Sequence, residues 1–114
     1  MIAKYGYYSP TQIHLTKLSI QKSIFFLLLY VDPETAINYS YIDVADAFHN
    51  LQYKLNGLNS ILLEPPELVE TMSLLEAALL EYQNAEGNFN WKKYRKLILD
   101  AGARIMDVEE GDSS

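Results

Sequence analysis

Three stretches of this chain space their apolar residues by steps of three and four, which keeps side chains on one face of an α-helix. The clearest joins Val44, Phe48, Leu51, Leu55, Leu58 and Leu62. A second runs through Leu68, Met72, Leu75, Leu79 and Tyr82, with Leu74, Ala78 and Leu80 widening it. The third links Tyr94, Ile98, Ala101, Ile105 and Val108. A strand alternates with a period of two and cannot reproduce this pattern. The seams therefore commit the chain to helices that bury one face against each other.

Capping residues and prolines set the expected boundaries. Ser9-Pro10 reads as a helix start, with a capping hydroxyl followed by proline at the first helical position, and Asp32-Pro33 reads as its stop. Ser40 and Asp43 resemble a capping box for the second helix, whose end is left open by Gly57. Glu64-Pro65-Pro66-Glu67 breaks the chain and restarts it. Gly87 suits the end of the third helix, and Asn90 suits the start of the fourth, with Phe89 and Tyr94 at hydrophobic-staple spacing. The helices are expected at about 10–31, 41–62, 65–85 and 90–108. Short connections make neighbours pack side by side, so the expected fold is a single all-α domain, a small antiparallel four-helix bundle. Tyr5, Tyr7 and Tyr8 form a Tyr-rich arm before it, and Glu109 to Ser114 an acidic, frayed tail after it.

The first helix differs from the other three. Its first half sets Ile13, Leu18, Ile20 and Ile24 among Thr, Lys, Gln and Ser, but Phe25 through Tyr30 is apolar on every side. Such a segment in a domain of 114 residues needs more cover than three neighbours provide. Phe25, Phe26, Leu29 and Tyr30 are therefore the expected interface with another chain, most simply a second copy in a homodimer. The longest apolar run, Ile24 to Val31, is far short of the ~20 residues that cross a bilayer. No small-residue cleavage site follows it, so a cytoplasmic location is expected.

Net charge is −6, and its distribution matters more than its total. Residues 32 to 91 carry ten acids against Lys54 alone, whereas Lys92-Lys93-Tyr94-Arg95-Lys96 holds four of the nine basic residues. Lys92 and Lys93 fall in the first turn of a helix, where positive charge opposes the dipole and calls for compensation. Trp91, Lys92, Lys93, Arg95 and Lys96 thus form a candidate site for a phosphate or an acidic protein partner. The same cations can instead neutralise Glu76, Glu81 and Glu86 at the end of the third helix. Against reading of DNA, Asp100 lies four residues from Lys96 and offsets it.

Catalytic chemistry finds little footing. The chain has no cysteine, no Gly-x-Ser-x-Gly and no glycine-rich phosphate loop. Asp43, Asp46 and His49 share a helical face and could ligate a divalent ion, but the bundle metal sites need a second such set, which His14 does not supply. No cofactor is expected. The expected function is a non-catalytic protein–protein interaction module: a small regulatory, inhibitory or assembly protein of bacterial, phage or plasmid origin. The alternatives are a nucleic-acid-binding regulator using the basic segment and a metal-dependent enzyme on the second helix.

Overall fold

Four helices carry the fold: α1 (Pro10–Leu29), α2 (Val44–Ile61), α3 (Pro66–Gln83) and α4 (Trp91–Ile105). They are seen in a computed structural model that describes residues 2–3, 6–7, 9–83 and 89–109. Tyr5, Tyr8, Glu86, Gly87 and the tail beyond Glu109 lie outside the described residues. Among those described, the sole extended pairing is a two-residue antiparallel ladder, β1 (Ile2–Ala3) with β2 (Gly6–Tyr7). No helix among them is long and apolar enough to cross a membrane.

Local chemistry explains each helix end. Ser9 and Gln12 form a full capping box on α1, with Pro10 behind the cap. The far end stops at Tyr30, before Asp32-Pro33, and its last carbonyls are all answered. Tyr30 N–H donates to Phe26 O, while Val31 and Asp32 N–H donate to Leu28 O. The Tyr94 hydroxyl donates to Leu27 O at 2.7 Å, and the Thr35 hydroxyl to Leu29 O at 2.7 Å. A short 3-10 turn, Ala36–Tyr39, follows.

α2 begins at Val44 rather than near residue 41, because Asp43 is itself the cap. Its carboxylate accepts from Asp46 N–H at 3.1 Å, so no box with Ser40 forms. Gly57 does not end α2, which continues to Ile61. The termination comes instead from Leu63 and Glu64, both at positive φ (63° and 57°), with Glu64 N–H closing onto Asn59 O at 2.8 Å. This is a glycine-type helix ending made without glycine, at a cost of about 1–2 kcal/mol per left-handed residue. Gly57 is exposed, and a Cβ there would meet nothing within 4 Å. Gly57→Ala is expected to raise stability by about 0.5–1 kcal/mol, read from the urea midpoint.

The helices touch in a ring, α1 with α2, α2 with α3, α3 with α4 and α4 with α1, the α3–α4 contact being the most extensive. Phe48, Leu55, Leu68, Leu75, Tyr94, Ile98 and Ile105 are fully buried at its centre. The seams of α2 and α4 lie inside as expected. In α3 the expected Leu68, Leu75, Ala78 and Leu79 also lie inside, joined by Thr71 and Glu81, while Leu80 and Tyr82 turn out. In α1 the pattern departs furthest from expectation. Lys17 is 2% exposed and its Nζ donates to Val108 O at 2.6 Å, whereas Leu15 and Leu18 are 60% and 41% exposed. Val108 closes the chain segment just past α4, where a cation suits the negative end of a helix.

At Gly102 side chains of α1 pack directly on the backbone of α4. The Phe25 ring lies over the glycine so tightly that a Cβ would fall inside the ring's van der Waals radius. Gln21 Nε2 donates to Gly102 O at 2.9 Å beside the ring. Gly102 therefore serves close approach, and α4 is continuous through it.

Candidate functional site

The basic segment occupies the first turns of α4. Asn90 caps the helix by accepting from Lys93 N–H at 3.1 Å, and Phe89 packs on Tyr94 with ring centroids 5.7 Å apart, completing the staple. Trp91 stacks on the same Tyr94 ring at 5.8 Å and is half-buried. The cations then separate by direction. Lys93 turns toward α3, its Nζ 3.5 Å from Glu81 Oε2, while Glu81 Oε1 accepts from Asn90 N–H at 3.0 Å. Glu81 is buried, and it supplies the negative charge that the positive end of α4 calls for.

Lys96 pairs with Asp100 at 3.0 Å, leaving Lys92 and Arg95 as the exposed cations of the segment that form no ion pair among the described residues. Three positions apart, they share the outer face of α4. Arg104 is not part of this face. It bonds Glu70 at 2.6 Å and Asp107 at 2.9 Å, which ties α4 to α3. The hydrogen bond from Arg104 holds the Glu70 carboxyl below its ordinary range. Glu76, considered above as a neutralising partner, lies elsewhere, on the wall of a groove between α2 and α3.

The apolar half of α1 is less bare than its sequence implies. Ile24 and Leu27 are buried, while Phe25, Phe26, Leu29 and Tyr30 are half-buried. Phe25 lies on Gly102, and Tyr30 stacks on Phe26 at 6.0 Å and meets the Tyr39 ring edge-on at 5.1 Å. Burial, with Tyr39 and Tyr41 nearby, pushes the Tyr30 hydroxyl above its ordinary value. Contacts within the chain thus cover part of this surface. Leu15 and Leu18 are also exposed, nearer the start of α1, whereas Ile13, Ile20 and Ile24, grouped with Leu18 in the sequence, are buried.

On α2, Asp43 is occupied as a cap and His49 is exposed. Among the described residues no group of three or more His, Cys, Asp or Glu stands where it could hold a metal ion. The same helix does border a feature that the sequence did not signal, a groove of about 650 Å³ against α3. Gln52 and Asn59 line it, and the amide oxygens of both are buried with no hydrogen-bond partner. Gln52 Nε2 is engaged, donating to Met72 O at 3.0 Å. Comparison with protein-family models, with curated proteins and with solved structures finds no match to this chain.

Proposed function

We propose that this chain is a non-catalytic helical interaction module, a small cytoplasmic regulator, inhibitor or assembly protein of bacterial or mobile-element origin, built as an antiparallel four-helix bundle. Its working surface is the outer face of α4, where it receives an acidic segment of a protein partner. The observation that carries this is the exposed, adjacent placement of Lys92 and Arg95 beside the half-buried Trp91, with no ion pair to either cation among the described residues. Two like charges on one helix face are mildly destabilising, and an acidic partner gives them a favourable Coulomb contact. Lys93 takes no part in the test, because reversing its charge would set a carboxylate against the buried Glu81 and disturb the fold.

The expected result is that Lys92→Glu with Arg95→Glu leaves the circular dichroism spectrum unchanged, does not lower the thermal midpoint, because a carboxylate in the first turn suits the helix dipole, and abolishes recovery of the partner from an extract of the native host. Undiminished recovery would overturn the assignment. Oligonucleotide binding that falls steeply between low and high salt would transfer the same face to nucleic acid. A homodimer through the outer side of α1 belongs to the same proposal and is supported by the exposed Leu15 and Leu18 and the half-buried Phe26 and Leu29. Light scattering at micromolar concentration is expected to give twice the chain mass, and Leu18→Lys with Leu29→Lys to return the monomer.

A further inference from the structure

The groove between α2 and α3 has two walls of different chemistry. The α2 wall offers Gln52, Asn56 and Asn59, spaced by four and three so that they form one stripe. Facing it, α3 offers Val69, Met72, Glu76 and Leu79, again at steps of three and four. The Asn59 side chain is more than nine-tenths buried, and its Oδ1, like Gln52 Oε1, finds no donor. A buried acceptor without a donor is costly, and a native structure that keeps two of them in one groove has a use for the donor they lack.

We propose that this groove receives an amphipathic helix from a basic protein partner, with lysine or arginine side chains donating to Gln52, Asn59 and Glu76 and apolar residues covering Val69, Met72 and Leu79. Two helical stripes at matching spacing form the seat into which a third helix packs. Amide oxygens and a carboxylate only accept, whereas ammonium and guanidinium groups only donate, so the chemistry is one-sided. Both oxygens are recessed, and a long, flexible cationic side chain reaches such atoms with its stem along the apolar wall. Charge points the same way, since Glu76 lines the groove and no Lys or Arg does.

Two measurements on the full chain test this. Asn59→Leu replaces the orphaned amide by an apolar group of similar volume. It is expected to raise the thermal midpoint; a fall would mean that the amide is already satisfied and would overturn the proposal. The probe for binding is a synthetic peptide of about 15 residues, long enough for several turns, with Lys and Arg on one helical stripe and Leu on the next. Titrated into 15N-labelled protein, it is expected to shift resonances of residues 49–59 and 69–79. Its affinity should fall at least about tenfold in Asn59→Leu and in Glu76→Gln. Lys92→Glu with Arg95→Glu should leave it unchanged, which separates this site from the α4 face. Shifts elsewhere, equal affinity in the variants, equal binding of a peptide with Glu in place of Lys and Arg, or the same shifts from butylamine alone would each overturn it.

Discussion

Tyr94→Ala is expected to be the most destabilising single truncation in this chain, at about 4–5 kcal/mol. Two losses combine. The ring is fully buried, with Phe48, Tyr82, Phe89 and Trp91 all within 6.5 Å between centroids, so its removal leaves a cavity bounded by aromatic residues from three helices and a loop. The hydroxyl also answers Leu27 O, a carbonyl at the end of α1 with no donor from its own helix among the bonds described above. Tyr94→Phe isolates the second loss and is expected to cost about 1–3 kcal/mol. Urea unfolding of both variants separates the two contributions. A cost for Tyr94→Phe below about 0.5 kcal/mol would show that Leu27 O finds another donor.

The same burial makes Tyr94 a source of alkaline sensitivity. Desolvation, with Tyr82 adding to it, pushes the Tyr94 hydroxyl far above the ordinary 10.0. Below pH 10 the hydroxyl is protonated in both folded and unfolded chains, and its contribution is present in full. Above pH 10 the unfolded chain releases the proton and the folded chain keeps it, so stability falls by up to about 1.4 kcal/mol per pH unit. Tyr30 shifts in the same direction. Stability measured from pH 8 to 11 is expected to decline above pH 10, and less steeply in Tyr94→Phe.

Gly102→Leu is the second large effect, expected at about 1–3 kcal/mol even after the gain in helix propensity. The new side chain needs the space held by the Phe25 ring and crowds the bond from Gln21 to Gly102 O. Phe25 is half-buried and can swing outward, which bounds the penalty. Phe25→Ala clears that space, so the double variant should recover much of the loss. A coupling energy near zero in that cycle would mean that the two residues do not share the contact described.

How far the sequence could disclose these features differed between helices. α2 and α4 each carry an apolar stripe against polar surroundings, so a single periodicity identifies the buried face, and Ser9 and Asn90 act as caps with their usual chemistry. α1 has apolar residues on nearly all sides, and no period separates Ile20, which is buried, from Leu18, which is exposed. Lys17 was legible only as a polar interruption, because its partner at Val108 lies 91 positions away. Ser40 and Asp43 stand at capping-box spacing, but with the turn through Ala36–Tyr39 before it the helix starts later and Asp43 itself is the cap. In the basic segment, spacing placed Lys96 against Asp100. Among several acids near the end of α3, only tertiary geometry singles out Glu81 for Lys93. The groove between α2 and α3 depends on how far two helices stand apart, which no pattern along either one encodes.

The answered carbonyls at the end of α1 impose an order on how the molecule can assemble. Leu27 O waits for a hydroxyl 67 positions downstream, and Lys17 for a carbonyl still further along. As the chain leaves the ribosome, the first of these four helices to emerge is therefore among the last to acquire its full set of native bonds. Until α4 has been made and has docked, the last turn of α1 stays open to water and its apolar end is without much of its cover. Fragments truncated before residue 91 should accordingly exchange the amide hydrogens of that turn quickly and self-associate. With α4 present, those same amides should report its docking rather than formation of the helix to which they belong.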